Sequence, residues 1–260
     1  MKQDIYSNDV FNKNYDKMRS NINNPNELIE IPNFRALVPD VTNKDILEIG
    51  CGYGKNAKFY SSKAKYILAT DISQHMLDIA QKENKADNIE YLRLAMEDIH
   101  TLDRKFDIII SSLVFNYLED YPKMMIKIFN LLKSNGVLIF SVPCPIITGT
   151  ILTTSLKKYH TIIDGKWYGL ISDYNHEGKR IKRWNNSDVV MYHAKYSTII
   201  NSIIEAGLIL DKLYEPNIEP KVVEIDNDYI HYDDKPYFIF IKAHKSYYIY
   251  NISQILNAYK

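Results

Sequence analysis

The sequence predicts an α/β fold in which helices cover both faces of a mostly parallel, seven-stranded sheet. Apolar strand-like runs alternate with amphipathic stretches of helical length, which is typical of a parallel sheet. The runs are almost continuously apolar, as a strand buried on both faces requires. Hydrophobic residues make up 46% and charged residues 25% of the 260 residues, an ordinary composition for a globular chain. We therefore expect residues 1–260 to form a single domain with one insertion.

Five strands and three helices are predicted in the first 142 residues. The strands span Asp45 to Gly50, Tyr66 to Asp71, Ile89 to Leu94, Phe106 to Ser112 and Gly136 to Val142. Between the strands, three segments have the length and the apolar spacing of a helix: Lys55 to Lys63, Ser73 to Asn84 and Asp120 to Lys133. Ser73 is expected to cap its helix, and the Asn135-Gly136 pair to end the last helix before the fifth strand.

The alternating pattern stops after Val142. Residues 143–190 contain two prolines and four glycines among aromatic and charged residues, and they show no regular period. We interpret this stretch as an insertion that covers the active site. Regular patterns return with a predicted helix from Tyr196 to Ala206, closed by Gly207, and with strands from Leu208 to Tyr214 and from Tyr237 to Ala243.

Charge and composition restrict the classes of partner. Lys plus Arg and Asp plus Glu both number 32, so the chain has no general attraction to nucleic acid or anionic lipid. The N-terminus has no apolar leader and no run approaches eighteen apolar residues, which predicts a cytoplasmic protein away from membranes. The two cysteines, Cys51 and Cys144, have neither disulfide-scaffold nor zinc-site spacing, so we expect reduced thiols and no metal.

A glycine-rich turn follows the first predicted strand. Gly50, Gly52 and Gly54 alternate with other residues, and such glycines let the backbone turn sharply and approach a ligand closely beside a helix N-terminus. By itself this is also the pattern of a plain strand-to-helix turn. Asp71 ends the second strand about twenty residues later, where a carboxylate can accept hydrogen bonds from ribose hydroxyls. The two features together predict a nucleotide site.

The turn is more compact than the three-glycine loop that seats a pyrophosphate, and Glu48 precedes it. Residues 48–54, Glu-Ile-Gly-Cys-Gly-Tyr-Gly, resemble motif I of class I methyltransferases. The resemblance implies a Rossmann-like fold and S-adenosylmethionine as the cofactor, with S-adenosylhomocysteine as the product. The cofactor carries an ammonium group that a nearby acid favours, whereas that acid would repel a pyrophosphate. Glu48 therefore argues against a nicotinamide oxidoreductase.

Four further segments resemble the later motifs of this family. They are Asp71-Ile72-Ser73 with Met76, Met96-Glu97-Asp98-Ile99, the strand at 106–112 and the segment at 131–138. The resemblance implies that Asp71 holds the ribose, with Ile72 and Met76 beside the adenine, and that residues 96–98 lie at the adenine edge. The predicted cofactor residues are Tyr15, Arg19, Glu48, Gly50, Cys51, Gly52, Asp71, Ile72, Met76, Met96, Glu97, Asp98 and Ser111.

Further segments, apart from these five motifs, are similar to a bacterial subgroup of small-molecule methyltransferases. They include Tyr15-Asp16-Lys17-Met18-Arg19, Tyr117-Leu118-Glu119-Asp120 and Tyr192-His193. The resemblance implies a helical cap at 1–43, a cofactor core at 44–142, a substrate-side insertion at 143–192, the rest of the sheet at 193–245 and a tail at 246–260.

The chain departs from that subgroup at two places. Its members commonly carry a histidine before Tyr117, where this chain has Asn116, and Glu-His-Pro where it has Pro143-Cys144-Pro145. An asparagine can orient a substrate but cannot act as a base at neutral pH. If the histidines of the relatives remove a proton, this chain uses another base or needs none.

Methyl transfer from a sulfonium mainly requires that two reactants are held in line, which can contribute roughly 7–11 kcal/mol. His193 is the candidate proton acceptor, with Asn116 and Tyr117 as further catalytic candidates; a hydrogen-bonded structural histidine is the alternative. Aromatic and arginine side chains are candidates to hold the substrate, and core packing or surface ion pairs are the alternatives. The candidates are Trp167, Tyr174, Arg180, Trp184 and Tyr192.

Other functions remain open on the sequence alone. An RNA or protein methyltransferase would show a basic face or a stacking groove beside the site. A non-catalytic protein that binds the same cofactor is a third reading, because a fold does not fix a function.

Overall fold

The computed structural model describes residues 4–7, 9–151, 160–184, 187–225, 229 and 235–247. Within these ranges the strands are β1 (Asp45–Ile49), β2 (Tyr66–Asp71), β3 (Ile89–Arg93), β4 (Phe106–Ser112), β5 (Leu132–Pro143), β6 (His160–Ile163), β7 (Lys166–Gly169), β8 (Gly178–Trp184), β9 (Ser187–His193), β10 (Ile209–Tyr214) and β11 (Phe238–His244). Residues 248–260, and with them most of the predicted tail, lie outside the described part of the chain.

Seven of these strands form one sheet in the order β10-β11-β5-β4-β1-β2-β3. Strands β1 to β5 are parallel, whereas β11 is antiparallel to both β5 and β10. The predicted seven-stranded, mostly parallel sheet is therefore confirmed, and β2 and β4 have the predicted bounds.

The predicted boundary between the third helix and β5 is wrong. The helix ends at Leu131 and β5 begins at Leu132, before the Asn135-Gly136 pair. Asn135 has a φ of 59° and donates its N–H to the carbonyl of Lys245, while Gly136 accepts from the N–H of Lys245. The pair is therefore an irregularity inside β5 and does not end the helix. The backbone groups of Asn135 and Gly136 are hydrogen-bonded to Lys245, just after β11, so this long-range pairing extends the strand back to Leu132.

The α-helices of the described residues are α1 (Asp9–Ser20), α2 (Ile31–Leu37), α3 (Lys55–Ser61), α4 (Gln74–Glu83), α5 (Tyr121–Leu131), α6 (Pro145–Thr148), α7 (Tyr196–Glu205) and α8 (Pro220–Ile225). Ser73 caps α4 as predicted, since its side chain accepts from the N–H of Met76. Two hydrophobic cores form on opposite faces of the sheet, with α5 and α7 on one face and α2 and α3 on the other. No helix within the described ranges is long and apolar enough to cross a membrane.

The N-terminal segment lies across the carboxyl ends of the central strands. It comprises a 3-10 turn at Ile5–Ser7, α1, a π-helical turn at Asn26–Glu30 and α2. The hydroxyl of Ser73 donates to the carbonyl of Tyr6 at 3.0 Å, and the buried ring of Phe11 packs edge-on against Trp184. This segment is therefore fixed to both the sheet and the insertion.

The insertion after β5 contains α6 and two hairpins, β6–β7 and β8–β9. The sequence analysis did not predict these strands. In β8 the side chains alternate between half-buried and exposed, but the half-buried positions include Arg180, Lys182 and Trp184. Because two of the half-buried positions carry cations, the sequence of β8 lacks the alternation of apolar and polar residues by which a strand is recognised.

Candidate functional site

A cavity of about 350 Å³ lies at the carboxyl ends of the parallel strands. The strand ends contribute Gly50, Asp71, Leu94, Ser112 and Pro143 to its wall. The N-terminal segment and the β8–β9 hairpin close it on the other sides. This is the edge at which ligands bind in open α/β sheets.

The glycine turn after β1 forms one end of this cavity. Gly50, Gly52 and Gly54 have φ angles of 71°, 53° and 75°, a region that side chains rarely tolerate. A Cβ on Gly50 would lie 2.3 Å from the side chain of Val114, whereas one on Gly52 would meet no atom within 4 Å. The backbone at Gly52 is therefore open to a ligand.

Asp71 connects the second strand to this turn. Its side chain is 8% exposed, and its two oxygens accept from the N–H groups of Gly52 and Ser73, both at 2.9 Å. Burial raises the pKa of Asp71, while the hydrogen bonds from Ser73 and Gly52 oppose the rise. The carboxylate is held at the cavity wall, in the position expected of a ribose acceptor.

Glu48 lies deeper in the same wall and is 2% exposed. Burial raises the pKa of Glu48 to about 8, although the N–H of Ala57 and the side chain of Asn56 donate to it. Its Oε2 atom has no hydrogen-bond partner among the described residues. A buried carboxyl group with an unmet acceptor suits an ammonium group of a ligand, because the positive charge would favour the ionised form of Glu48.

Arg19 supplies a cation to the wall from the end of α1. Its Nη2 atom lies 3.6 Å from Glu27, a carboxylate that also pairs with Lys55 at 2.7 Å. The Nε and Nη1 atoms of Arg19 are buried and find no hydrogen-bond partner within the described ranges. Asp71, Glu48, Arg19 and the open turn at Gly52 together fit the ribose, ammonium and carboxylate of S-adenosylmethionine.

Aromatic rings form the side of the cavity that faces the N-terminal segment and the hairpin. The hydroxyls of Tyr6 and Tyr117 lie 2.9 Å apart, and the ring of Tyr15 packs against both Tyr6 and Trp184. Burial raises the pKa of Tyr117 to about 12. Asn116 is buried in the same wall, and its Oδ1 has no partner in the described part of the chain.

The structure brings most of the predicted cofactor residues to this one cavity. Two do not line it: Ser111 is buried and donates to the carbonyl of Ile49 at 3.0 Å, and Asp98 is absent from the wall. Those that line it are Tyr15, Arg19, Glu48, Gly50, Cys51, Gly52, Asp71, Ile72, Met76, Met96 and Glu97.

His193 does not line the cavity. It is 2% exposed, with Nδ1 at 2.8 Å from the hydroxyl of Thr148 and Nε2 at 2.8 Å from the carbonyl of Tyr174. Burial lowers its pKa. Because both ring nitrogens are occupied, this geometry supports the structural alternative, and we do not retain His193 as the proton acceptor.

Of the predicted substrate residues, only Trp184 lines the cavity. Trp167 packs against His160 on the other hairpin, and Arg180 is bound to Asp173 at 3.0 Å. Tyr192 and Tyr174 are also outside the wall, and the carbonyl of Tyr174 faces His193. Residue type alone did not reveal which aromatic rings of the insertion point inward.

Tyr6, Glu30 and Lys182 are among the wall residues that the sequence analysis did not predict. Glu30 is 1% exposed and accepts from the hydroxyls of Ser112 and Ser141 at 2.8 and 2.5 Å, and burial raises its pKa. The isolated acid in an apolar stretch, Leu-Ile-Glu-Ile-Pro, was a usable signal for a buried carboxylate. No comparable signal marks Tyr6 or Lys182.

Comparison with known proteins agrees with this geometry. A family model described as a methyltransferase domain matches residues 47–140. An uncharacterised protein of Haemophilus influenzae is 31% identical over 255 residues, which cover 94% of this chain and 98% of that protein. The structure of an S-adenosylmethionine-dependent methyltransferase from Mesorhizobium loti is 26% identical, with a TM-score of 0.76 and coverage of 83% of this chain and 97% of that one. The chain belongs to the class I S-adenosylmethionine-dependent methyltransferases.

Proposed function

We propose that this methyltransferase acts on a small molecule held between the glycine turn and the β8–β9 hairpin. The observation that carries the proposal is that Gly52 and Asp71 line the same cavity as Tyr117, Lys182 and Trp184. Its volume of about 350 Å³ is in the range of small-ligand sites. A nucleic-acid substrate is disfavoured by the formal charge of zero, because no general attraction to a phosphate backbone follows from it.

The cofactor supplies a methyl group already activated by a sulfonium. In our proposal Asp71 accepts from the ribose hydroxyls, Glu48 faces the ammonium and Arg19 faces the carboxylate. The aromatic side of the cavity, at Tyr15 and Trp184, keeps water from the acceptor. The contribution of the chain is then orientation of the two reactants and exclusion of solvent.

The cavity wall favours an acceptor atom that needs no base. The phenols of Tyr6 and Tyr117 have raised pKa values, so they stay protonated at neutral pH, and Asn116 cannot take up a proton. Glu30 already accepts from two serine hydroxyls. An anionic oxygen, an ionised thiol or a neutral amine can attack directly under these conditions.

The named relatives include one that acts on a small molecule and one that acts on an acyl group carried by a protein. A trans-aconitate 2-methyltransferase of Deinococcus radiodurans is 26% identical over 51% of each chain. A malonyl-[acyl-carrier protein] O-methyltransferase of Hamiltonella defensa is 30% identical over 42% of each chain. The chain thus spans about half or less of the length of these two relatives, so their substrates suggest candidates for a screen and no more.

The test is calorimetric titration with S-adenosylmethionine, S-adenosylhomocysteine and NAD, followed by a screen of small nucleophiles for release of S-adenosylhomocysteine. We expect the two adenosyl compounds to bind, NAD not to bind, and at least one small nucleophile to be methylated. Turnover of RNA or of a protein, with no small molecule accepted, would overturn the proposal. Tight cofactor binding without turnover of any acceptor would favour a non-catalytic role.

A further inference from the structure

The side-chain amide of Asn116 is a polar group of the cavity wall to which the cofactor assignment above gives no role. Asn116 lies in the 3-10 turn Phe115–Tyr117, just after β4. The residue is 6% exposed and lines the cavity. Its Oδ1 atom is buried and has no hydrogen-bond partner among the described residues. Because buried carbonyl oxygens normally have a partner, this atom indicates a donor that a ligand supplies.

The backbone around Asn116 is held in place from both sides. Leu113 has a φ of 55°, in the left-handed region that residues other than glycine rarely adopt. Its N–H donates to the carbonyl and the hydroxyl oxygen of Ser141, both at 3.1 Å, and the hydroxyl of Tyr121 donates to the carbonyl of Phe115 at 3.1 Å. Such a conformation persists only where the surroundings impose it, and it is common at functional sites. The turn therefore presents Asn116 to the cavity in a fixed position.

Other polar groups of the wall are bonded to one another and not to Oδ1 of Asn116. The Oε1 atom of Glu30 accepts from two serine hydroxyls. The hydroxyls of Tyr6 and Tyr117 lie 2.9 Å apart, so one of them donates to the other. A ligand that pairs with Oδ1 must therefore bring its own hydrogen-bond donor, since an amide oxygen can only accept.

This requirement distinguishes the three kinds of acceptor atom that the function proposed above allows, and it rests on that function. A neutral amine has both an N–H to donate and a lone pair to attack. The attacking atom of an ionised thiol or an anionic oxygen carries no hydrogen, and its negative charge would face the partial negative charge of Oδ1. We infer that the methyl acceptor is a neutral primary or secondary amine and that Oδ1 of Asn116 accepts a hydrogen bond from its N–H, so that Asn116 determines substrate specificity.

The hydrogen bond orients the nitrogen for the reaction. With its N–H on Oδ1, the lone pair of the amine points away from Asn116 and is available to the methyl group. The nitrogen forms the new N–C bond while the S–C bond of the sulfonium breaks, and the electron pair of that bond remains on sulfur. The product is an ammonium, which releases its additional proton to water. No side chain has to take up a proton, in agreement with an asparagine at this position.

The first test compares acceptor atoms on the parent chain. The full chain and S-adenosylmethionine are incubated at mildly alkaline pH with benzylamine, aniline or ethanolamine, and release of S-adenosylhomocysteine is measured. Benzoate and thiophenol supply an anionic oxygen and an ionised thiol, and the N,N-dimethyl derivative of each amine keeps the lone pair but has no N–H. We expect at least one primary amine to be methylated, and its dimethyl derivative, benzoate and thiophenol not to be. Methylation of benzoate or thiophenol, of a dimethyl derivative as fast as its amine, or of none of the amines would overturn the inference.

The second test changes the side chain and uses the amine that is methylated. Asn116→Leu has a similar volume but no hydrogen-bond acceptor, so kcat/KM for that amine should fall at least tenfold. Asn116→Asp keeps an oxygen acceptor at the same position and should retain more of the activity than Asn116→Leu. Asn130→Leu, at an exposed position of α5, is the matched control and should leave kcat/KM unchanged. Should the circular dichroism spectrum show that Asn116→Leu folds poorly, Asn116→Ala repeats the test.

Binding of S-adenosylhomocysteine separates failure of this inference from failure of the proposed function. All variants should bind it like the parent chain, because Asn116 is assigned to the methyl acceptor. If the parent chain does not bind it, the proposed function fails. If the parent chain methylates benzoate or thiophenol and no amine, the proposed function holds and this inference fails.

An unchanged kcat/KM in Asn116→Leu would also overturn the inference. Oδ1 would then pair with a different donor, such as a water molecule in the separate space of about 10 Å³ that Asn116 and Thr148 line.

Discussion

The backbone N–H of Gly52 donates a 2.9 Å hydrogen bond to Oδ2 of Asp71. This bond joins the turn after β1 to the end of β2, so the two features to which we assign cofactor binding are held together by the chain itself. The second oxygen of Asp71 accepts from the N–H of Ser73 at 2.9 Å. Asp71 is thus fixed in place before a ligand binds, which reduces the ordering that binding requires.

Asp71→Ala should weaken S-adenosylhomocysteine binding at least tenfold, or about 1.4 kcal/mol. The variant loses the acceptor for the ribose and the bond that holds Gly52. Asp98→Ala is the control, since Asp98 does not line the cavity. Titration calorimetry on both variants checks this, and unchanged affinity in Asp71→Ala would contradict our placement of the ribose.

Gly50→Ala and Gly52→Ala should have different consequences. At Gly50 the new Cβ would meet the side chain of Val114 at 2.3 Å with φ at 71°, so we expect a loss of stability of about 1–2 kcal/mol or more. At Gly52 the Cβ would enter the open cavity, so cofactor affinity should fall at least tenfold while stability falls less than in Gly50→Ala. Urea unfolding measures the loss of stability, and calorimetry measures cofactor affinity. If Gly52→Ala left the affinity unchanged and lost more stability than Gly50→Ala, Gly52 would not contact the cofactor.

Glu48→Gln should stabilise the ligand-free protein at pH 8.5 and have little effect at pH 4.5. Burial raises the pKa of Glu48 to about 8, so between the ordinary carboxyl pKa and pH 8 the folded chain binds a proton that the unfolded chain has released. The free energy of unfolding that Glu48 contributes therefore falls as the pH rises through that window. A glutamine at this position does not titrate, so the variant does not show this fall.

Urea unfolding of the Glu48 variant and the parent chain across pH 4.5–8.5 measures the difference. Asp40→Asn is the control, because Asp40 is exposed and its pKa is lowered by hydrogen bonds from Thr42. A stability difference between Glu48→Gln and the parent that does not change with pH would contradict the assignment of the titration to Glu48.

His193→Ala should cost about 1–3 kcal/mol of stability, because the Tyr174 carbonyl loses its buried partner. Burial holds the pKa of His193 below its usual value, so the stability it contributes is present above about pH 6.5 and lost as the pH falls. The variant should therefore lose less stability on acidification than the parent, and its kcat should keep the parent's pH profile. His100→Ala, at an exposed position, serves as the control. If His193→Ala lost one limb of the pH profile of kcat, His193 would be the proton acceptor after all.

The residues at the end of the cavity that we assign to the cofactor could be predicted to lie together because their signals are local. A glycine turn after a buried strand and an acid at the end of the next strand occupy the same edge in every parallel sheet. The acceptor end could not be predicted in this way. His193 and Tyr192 adjoin in sequence, yet His193 is locked to Thr148 and Tyr174 behind the wall, whereas Lys182, which carries no motif, faces the cavity.

By itself the sequence determined the order of the seven sheet strands and of α3, α4, α5 and α7, the glycine turn and the carboxylate at the end of β2, because periodicity and backbone conformation depend on neighbouring residues. Only the tertiary structure decided which side chains of the insertion and the N-terminal segment enter the cavity. Tyr6 contacts Tyr117 across 111 positions of the chain, and Trp184 contacts Tyr15 across a still longer stretch. Contacts of this kind follow from how the segments pack over the sheet, and no local pattern encodes the face that each one turns inward.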